Sequence, residues 1–264
     1  MGKFIKKFEN HSNYSTFIAT TEFIKPNVSY CVTENEVHYN PWTYADAYLT
    51  FKALEDGTFQ LSTNAVSYSL DNGETWTSLA AATSTPTVTA GSKIMWKASG
   101  LQPTSSNGIG TFSSTAKFDV EGNPMSLLYG DDFAGQNDLT GKNYAFYRLF
   151  YNCSELINVE KMSLPATTLA SNCYNSMFYG CTSLATAPQL PATTLATSCY
   201  NSMFYGCTKL NYIKAMFTTE PSTTYTTNWV SGVAASGTFV KNSAAQWDVS
   251  GVNGIPSGWT VVTE

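Results

Sequence analysis

Charge is what this chain has least of. Its 264 residues include 14 Lys or Arg and 19 Asp or Glu, so 12% are charged, about half the usual ~25%. The surface must therefore be built mostly from Ser, Thr, Asn, Gln and Tyr. The net charge of -5 and pI near 5.1 argue against a nucleic-acid partner, which needs clustered Lys and Arg. The one basic cluster, Lys3, Lys6 and Lys7, is too small to hold a phosphate backbone. Histidine is nearly absent: His11 and His38 stand alone, outside any metalloprotease or triad motif. The six cysteines include no CxxC pair, so zinc has no clear ligand set. Gly108-Ile109-Gly110 lacks the third glycine of a phosphate loop. No apolar run approaches the roughly 18 residues of a membrane span. Residues 1–8 are basic, but Glu9, Asn10, His11, Ser12 and Asn13 follow where an export signal needs an apolar stretch, so export by the standard route is not expected. Carboxylate pairs for glycoside hydrolysis are defined in space rather than in sequence, and no feature favours them. The expectation is a protein without catalytic residues, metal or cofactor.

What is present divides into four segments, with 43% apolar residues to build cores. Residues 1–41 read as a small α/β docking module. Phe4, Ile5 and Phe8 suggest a strand, and Tyr14, Phe17 and Ile18 have helical spacing behind Asn10 and Ser12. A hairpin is expected about Thr33-Glu34-Asn35. Residues 42–133 alternate apolar and polar positions between turns at Glu55-Asp56-Gly57 and Asp71-Asn72-Gly73, which predicts an antiparallel β-sandwich.

Residues 134–217 repeat. Cys173-Tyr174-Asn175-Ser176-Met177-Phe178-Tyr179-Gly180-Cys181-Thr182 returns 26 residues later as Cys199 to Thr208, and Leu164-Pro165-Ala166-Thr167-Thr168-Leu169-Ala170 returns from Leu190. A degenerate earlier copy holds Leu149-Phe150-Tyr151-Asn152-Cys153; its Cys153 precedes Cys181 by 28 residues, a two-residue insertion. A 26-residue period falls in the leucine-rich repeat range and predicts a short solenoid. In each coil Cys173, Met177, Phe178 and Cys181 would lie on one side of a helical turn closed by Gly180, with Leu184, Ala187 and Leu190 pointing inward from an extended segment. Residues 218–264 break the period and should cap the last coil with Trp229, Trp247 and Trp259. Strands are expected at Thr238-Phe239-Val240 and Trp259-Thr260-Val261-Val262, and a short helix at 243–247. The expected class is thus α+β and multi-domain.

The repeat resembles the BspA-like leucine-rich repeats of bacterial surface proteins, through Phe178-Tyr179-Gly180-Cys181, Leu184 and Leu190-Pro191. It departs from that family in having three coils where long arrays are usual. Residues 67–76, 122–127 and 237–259 are similar, less specifically, to modules accompanying such repeats in surface and phage-encoded proteins of gut anaerobes. Residues 3–40 resemble short N-terminal modules of phage virion proteins. The resemblance implies a structural or decoration protein of a virion, in the head or a tail fibre. It would dock on other virion proteins through its N-terminus and present its repeats to a host surface glycan or protein. A bacterial cell-surface adhesin is the alternative. A homo-oligomer is a further candidate partner arrangement, although no heptad pattern supports one.

Four tyrosines recurring with the coil, Tyr174, Tyr179, Tyr200 and Tyr205, are the candidate binding residues, because tyrosine gives amphipathic contact area at low entropic cost. Cys153, Cys181 and Cys207 form one repeat-spaced column, and Cys173 and Cys199 another; buried thiols and inter-coil disulfides are both open. The stretch Ser69 to Trp76 matches the Asp-box of sialidases, a structural hairpin in that family. Asp131, Asp132 and Asp138 are weighed as a calcium cluster against a solvated loop.

Overall fold

A computed structural model describes residues 30–33, 36–39 and 46–264. The strand expected at Phe4, Ile5 and Phe8 and the helix around Phe17 lie outside the described residues, so no α/β module is seen. Within 1–41, β1 (Tyr30–Thr33) and β2 (Glu36–Tyr39) pair antiparallel, close to the expected hairpin.

The next segment supplies β3 (Leu49–Ala53), β4 (Phe59–Leu61), β5 (Val66–Ser69), β6 (Thr77–Leu79), β7 (Lys93–Lys97), β8 (Phe112–Ser114) and β9 (Phe118–Gly122). With β10 (Leu156–Met162) they form a six-stranded sheet of order β10-β9-β3-β7-β5-β6 and a two-stranded sheet, β4-β8. Period-two alternation turns Phe51, Ile94, Trp96, Phe118 and Val120 inward, while Lys52 between Phe51 and Ala53 stays exposed. Phe51 sits where the two sheets meet, its ring centroid 5.5 Å from Phe59, 4.8 Å from Phe112 and 4.9 Å from Phe118.

The expected α+β class with a short leucine-rich repeat solenoid does not hold and is corrected: the described residues are mostly sheet and turn, and their strands form separate sheets. Helix is confined to short pieces such as α1 (Ser126–Tyr129) and a 3-10 turn at Gly130–Asp132. Residues 144–217 contain no helix, and residues 243–247 are turn and coil. The reason lies in the backbone. Every fourth residue of each copy is left-handed: Tyr144, Arg148 and Asn152, then Asn172, Ser176 and Gly180, then Ser198, Ser202 and Gly206, with φ between 51° and 73°. A right-handed helix cannot pass through such residues.

The chain instead makes a run of tight turns whose amides alternate in direction. Those of Cys173, Asn175, Met177, Tyr179 and Cys181 bond back to carbonyls three residues earlier at 3.1–3.3 Å. The amides between them, of Tyr174, Ser176, Phe178 and Gly180, donate to Cys199, Asn201, Met203 and Tyr205 of the next copy at 2.7–3.0 Å. The preceding copy does the same, Phe146, Arg148, Phe150 and Asn152 donating to Cys173, Asn175, Met177 and Tyr179.

The pattern also continues beyond residue 217, where side-chain identity is lost. Tyr200, Ser202, Phe204 and Gly206 donate to Tyr225, Thr227, Trp229 and Ser231 at 2.8–3.1 Å. The period expected to break at 218 therefore persists in the backbone.

Side chains stack as the backbone dictates. Phe150, Phe178 and Phe204 form a column with centroids 5.6 and 5.7 Å apart and rings within 9° of parallel. Leu184, Leu190 and Leu210 are fully buried. β11 (Tyr212–Ala215), β12 (Thr238–Lys241) and β13 (Thr260–Thr263) add a three-stranded parallel sheet. Trp229, Trp247 and Trp259 are buried at this end, and their indole N–H groups donate to the carbonyls of Gly254, Phe217 and Ala234.

Truncating the middle of the ring column should cost what a buried Phe→Ala change costs, about 3–5 kcal/mol. Gly206→Ala should cost about 1–2 kcal/mol, because a Cβ at φ 73° is strained although it would meet Gly180 Cα only at an ordinary contact distance of 3.8 Å. Urea unfolding followed by circular dichroism reads both, and an unchanged midpoint in Phe178→Ala would contradict the stacking.

Candidate functional site

The tyrosines divide into two sets. Tyr179 and Tyr205 lie on the surface side of the turns, Tyr205 being 36% exposed. Their rings stack at 4.7 Å and 4°. Tyr151 extends the column on the other side at 4.7 Å and 18°. Burial and then the neighbouring phenols raise the Tyr179 hydroxyl pKa.

Tyr174 and Tyr200 do not belong to this ridge. They are 1% and 0% exposed, stacked on Phe146 and on each other at 5.6 and 6.0 Å, and their hydroxyls are buried without a hydrogen-bond partner. Their place as surface binding residues is therefore corrected. The signal for this lies in the first copy, where the equivalent of Tyr174 is Phe146. Tyr151 joins the ridge without having been a candidate, although the 28-residue offset that relates Cys153 to Cys181 also relates it to Tyr179.

The repeat cysteines serve the interior. Cys153, Cys173, Cys181, Cys199 and Cys207 are free and buried. Cys181 Sγ donates to the carbonyl of Phe150 and Cys207 Sγ to that of Phe178, both at 3.0 Å. Each of these two thiols thus ties one copy to the one before. Burial pushes the thiols of Cys153, Cys199 and Cys207 up to about 12 and those of Cys173 and Cys181 well above the ordinary value, so all are neutral rather than nucleophilic.

The carboxylates of Asp71, Asp131 and Asp138 are likewise engaged. Asp71 accepts from Ser69 Oγ at 2.6 Å and from the Thr75 hydroxyl and amide at 2.6–3.0 Å. These bonds hold its carboxyl well below the usual carboxylate range and fix the Asp-box hairpin between β5 and β6. Trp76 lies half-buried against Tyr48 at 4.9 Å, with Lys97 Nζ 4.2 Å from its ring centroid. Asp131 bonds Lys97 and the Tyr48 hydroxyl, each at 2.7 Å, whereas Asp138 accepts from the Thr140 amide. Asp131 and Asp138 thus take separate partners. Among the described residues no group of three or more His, Cys, Asp or Glu is placed to hold a metal, and no helix is long and apolar enough to cross a membrane.

No protein-family model, curated protein or solved structure matches the chain.

The thiols give a pH prediction. An unfolded thiol ionises near 9 while the folded ones resist to about 12. Their contribution to stability is complete below pH 9 and declines as pH rises from 9 towards 12. The urea midpoint should fall between about pH 8 and about pH 11, and the five repeat thiols should resist a thiol reagent until the chain unfolds. Ready labelling of any of these five in the native protein at about pH 8, read by peptide mapping, would contradict their burial.

Proposed function

We propose that the chain is a non-catalytic structural or decoration protein of a phage virion, in the head or a tail fibre, that presents the Tyr151–Tyr179–Tyr205 ridge for adhesion. The observation carrying this reading is the ridge itself: three rings at a 4.7 Å repeat, each on a backbone whose amides are tied to the next copy. Rings held in this way lose little conformational entropy when a ligand arrives. The surrounding chemistry supports contact rather than turnover. The thiols are neutral and the Asp71 carboxylate is occupied in a turn.

The likeness of residues 3–40 to N-terminal modules of virion proteins supports docking on other virion proteins through residues 1–41. The BspA-like pattern in Phe178, Cys181, Leu184 and Leu190 favours a second reading, a bacterial cell-surface adhesin, with host glycan or protein as partner in either case.

Mass spectrometry of gradient-purified particles tests the first reading. The chain should band with capsid and tail proteins, and its appearance only in the cell-envelope fraction would transfer the assignment to the adhesin. Tyr179→Ala/Tyr205→Ala should reduce binding to host cells about tenfold or more with little change in melting temperature. Glycan turnover abolished by a carboxylate substitution would overturn both readings.

A further inference from the structure

The chain has a single arginine, Arg148, at the head of the tyrosine ridge. Its guanidinium carbon lies 4.8 Å from the ring centroid of Tyr147 and 4.8 Å from that of Tyr151. Tyr144 packs edge-on to Tyr147 at 5.7 Å. The Nε atom is buried and makes no hydrogen bond. Among the described residues no carboxylate pairs with this cation; the ion pairs there are made by Lys93, Lys97, Lys117 and Lys214. Beyond it the ridge crosses uncharged ground, for no residue between Lys161 and Lys209 is charged.

The position is also unusual for arginine. Its φ is 57°, and the equivalent places in later copies hold Ser176, Ser202 and Asn228 at 55°, 51° and 54°. Small polar residues satisfy that backbone, so the fold does not call for a long cationic side chain there. A guanidinium that lies over ring faces uses those faces for the contact and leaves its terminal Nη donors, unlike the buried Nε, as a fork that matches a carboxylate or sulfate.

We propose that Arg148 is the anion-binding element of the ridge and that its ligand is an acidic saccharide. The carboxylate or sulfate would bond the guanidinium, and the sugar units would follow Tyr151 and Tyr179 to Tyr205. Tyr205 ends the column: Ser231 takes the next place, so no further ring stacks beyond it and that face is left for a sugar ring. A regular 4.7 Å repeat of phenols suits a ligand that repeats in the same orientation, as a polysaccharide does. An extended acidic peptide would turn alternate side chains away.

This inference rests on the ridge being the adhesive surface, and the experiment separates the two. Calorimetry on the full chain uses hexagalacturonate, a sulfated hexasaccharide, neutral maltohexaose and hexaglutamate. At least one acidic saccharide should bind, more weakly as salt rises, with the carboxylated and sulfated probes distinguishing the anion. Arg148→Ser, whose new side chain matches the later copies, should weaken that binding about tenfold or more, and Arg148→Lys should recover only part of it. Maltohexaose and hexaglutamate should bind at least about tenfold more weakly. If Arg148→Ser does not fold, Arg148→Lys and the salt dependence carry the test. Equal binding of neutral and acidic sugars that survives Arg148→Ser but is lost in Tyr179→Ala/Tyr205→Ala would overturn the anion site and leave the adhesive ridge standing. Absence of saccharide binding, or preference for hexaglutamate, would overturn the inference, while the virion assignment would still be decided by particle composition.

Discussion

The constraint on which the rest of the structure depends is the destination of alternate amides in the repeat. A run of tight turns with a left-handed residue at every fourth position can satisfy only half of its own N–H groups. The other half, those of Tyr174, Ser176, Phe178 and Gly180, find acceptors 25 residues further on. Packed against a neighbour out of register, these donors would be unpaired in a buried setting, at about 1–3 kcal/mol each. The left-handed non-glycine residues Asn172, Ser176, Ser198 and Ser202 add about 1–2 kcal/mol each. Stacking offsets both costs at once, which explains why the copies are held in register and why Phe178 falls on Phe204 rather than beside it.

The same bonding joins the repeat to the sheets before it. Phe112 of β8 donates its amide to Leu149 at 2.8 Å, and its ring stacks on Phe150 at 6.0 Å, which begins the column continued by Phe178 and Phe204. β9 and β10 pair in parallel across the segment boundary expected near residue 133. The buried side chains accordingly form one cluster from Leu49 to Trp259. Tyrosines on the outer side of this ladder inherit its spacing. The ridge is therefore a consequence of backbone register, and Arg148 is the residue at which the ridge departs from what the backbone needs.

Much of this is legible in the residues. Alternation around Phe51 and Trp96 marks the strands, and the 26-residue recurrence points to the Phe and Cys columns. The turns pass for helix in the sequence because left-handed backbone is signalled by glycine, and only Gly180 and Gly206 carry that signal; Ser176 and Ser202 do not. The continuation through Thr227, Trp229 and Ser231 is invisible there, since the hydrogen bonds repeat while the side chains do not. Tyr174 and Tyr179 cannot be told apart within one copy. The amphipathic ring suits either side, and only Phe146 and Tyr151 in the degenerate copy show which faces the core. Arg148 carries no sequence signal because its distinction is geometric: two neighbouring rings and, among the described residues, no carboxylate paired with it.

Native-state hydrogen exchange followed amide by amide by NMR tests the central claim most directly. Tyr174, Ser176, Phe178 and Gly180 should exchange as slowly as the core strand residues Phe51 and Val120, and together with the turn-bonded amides of Met177 and Tyr179, as one cooperative unit. Rapid exchange at those four amides while Phe51 and Val120 remain protected would show that the copies are not joined through their backbones.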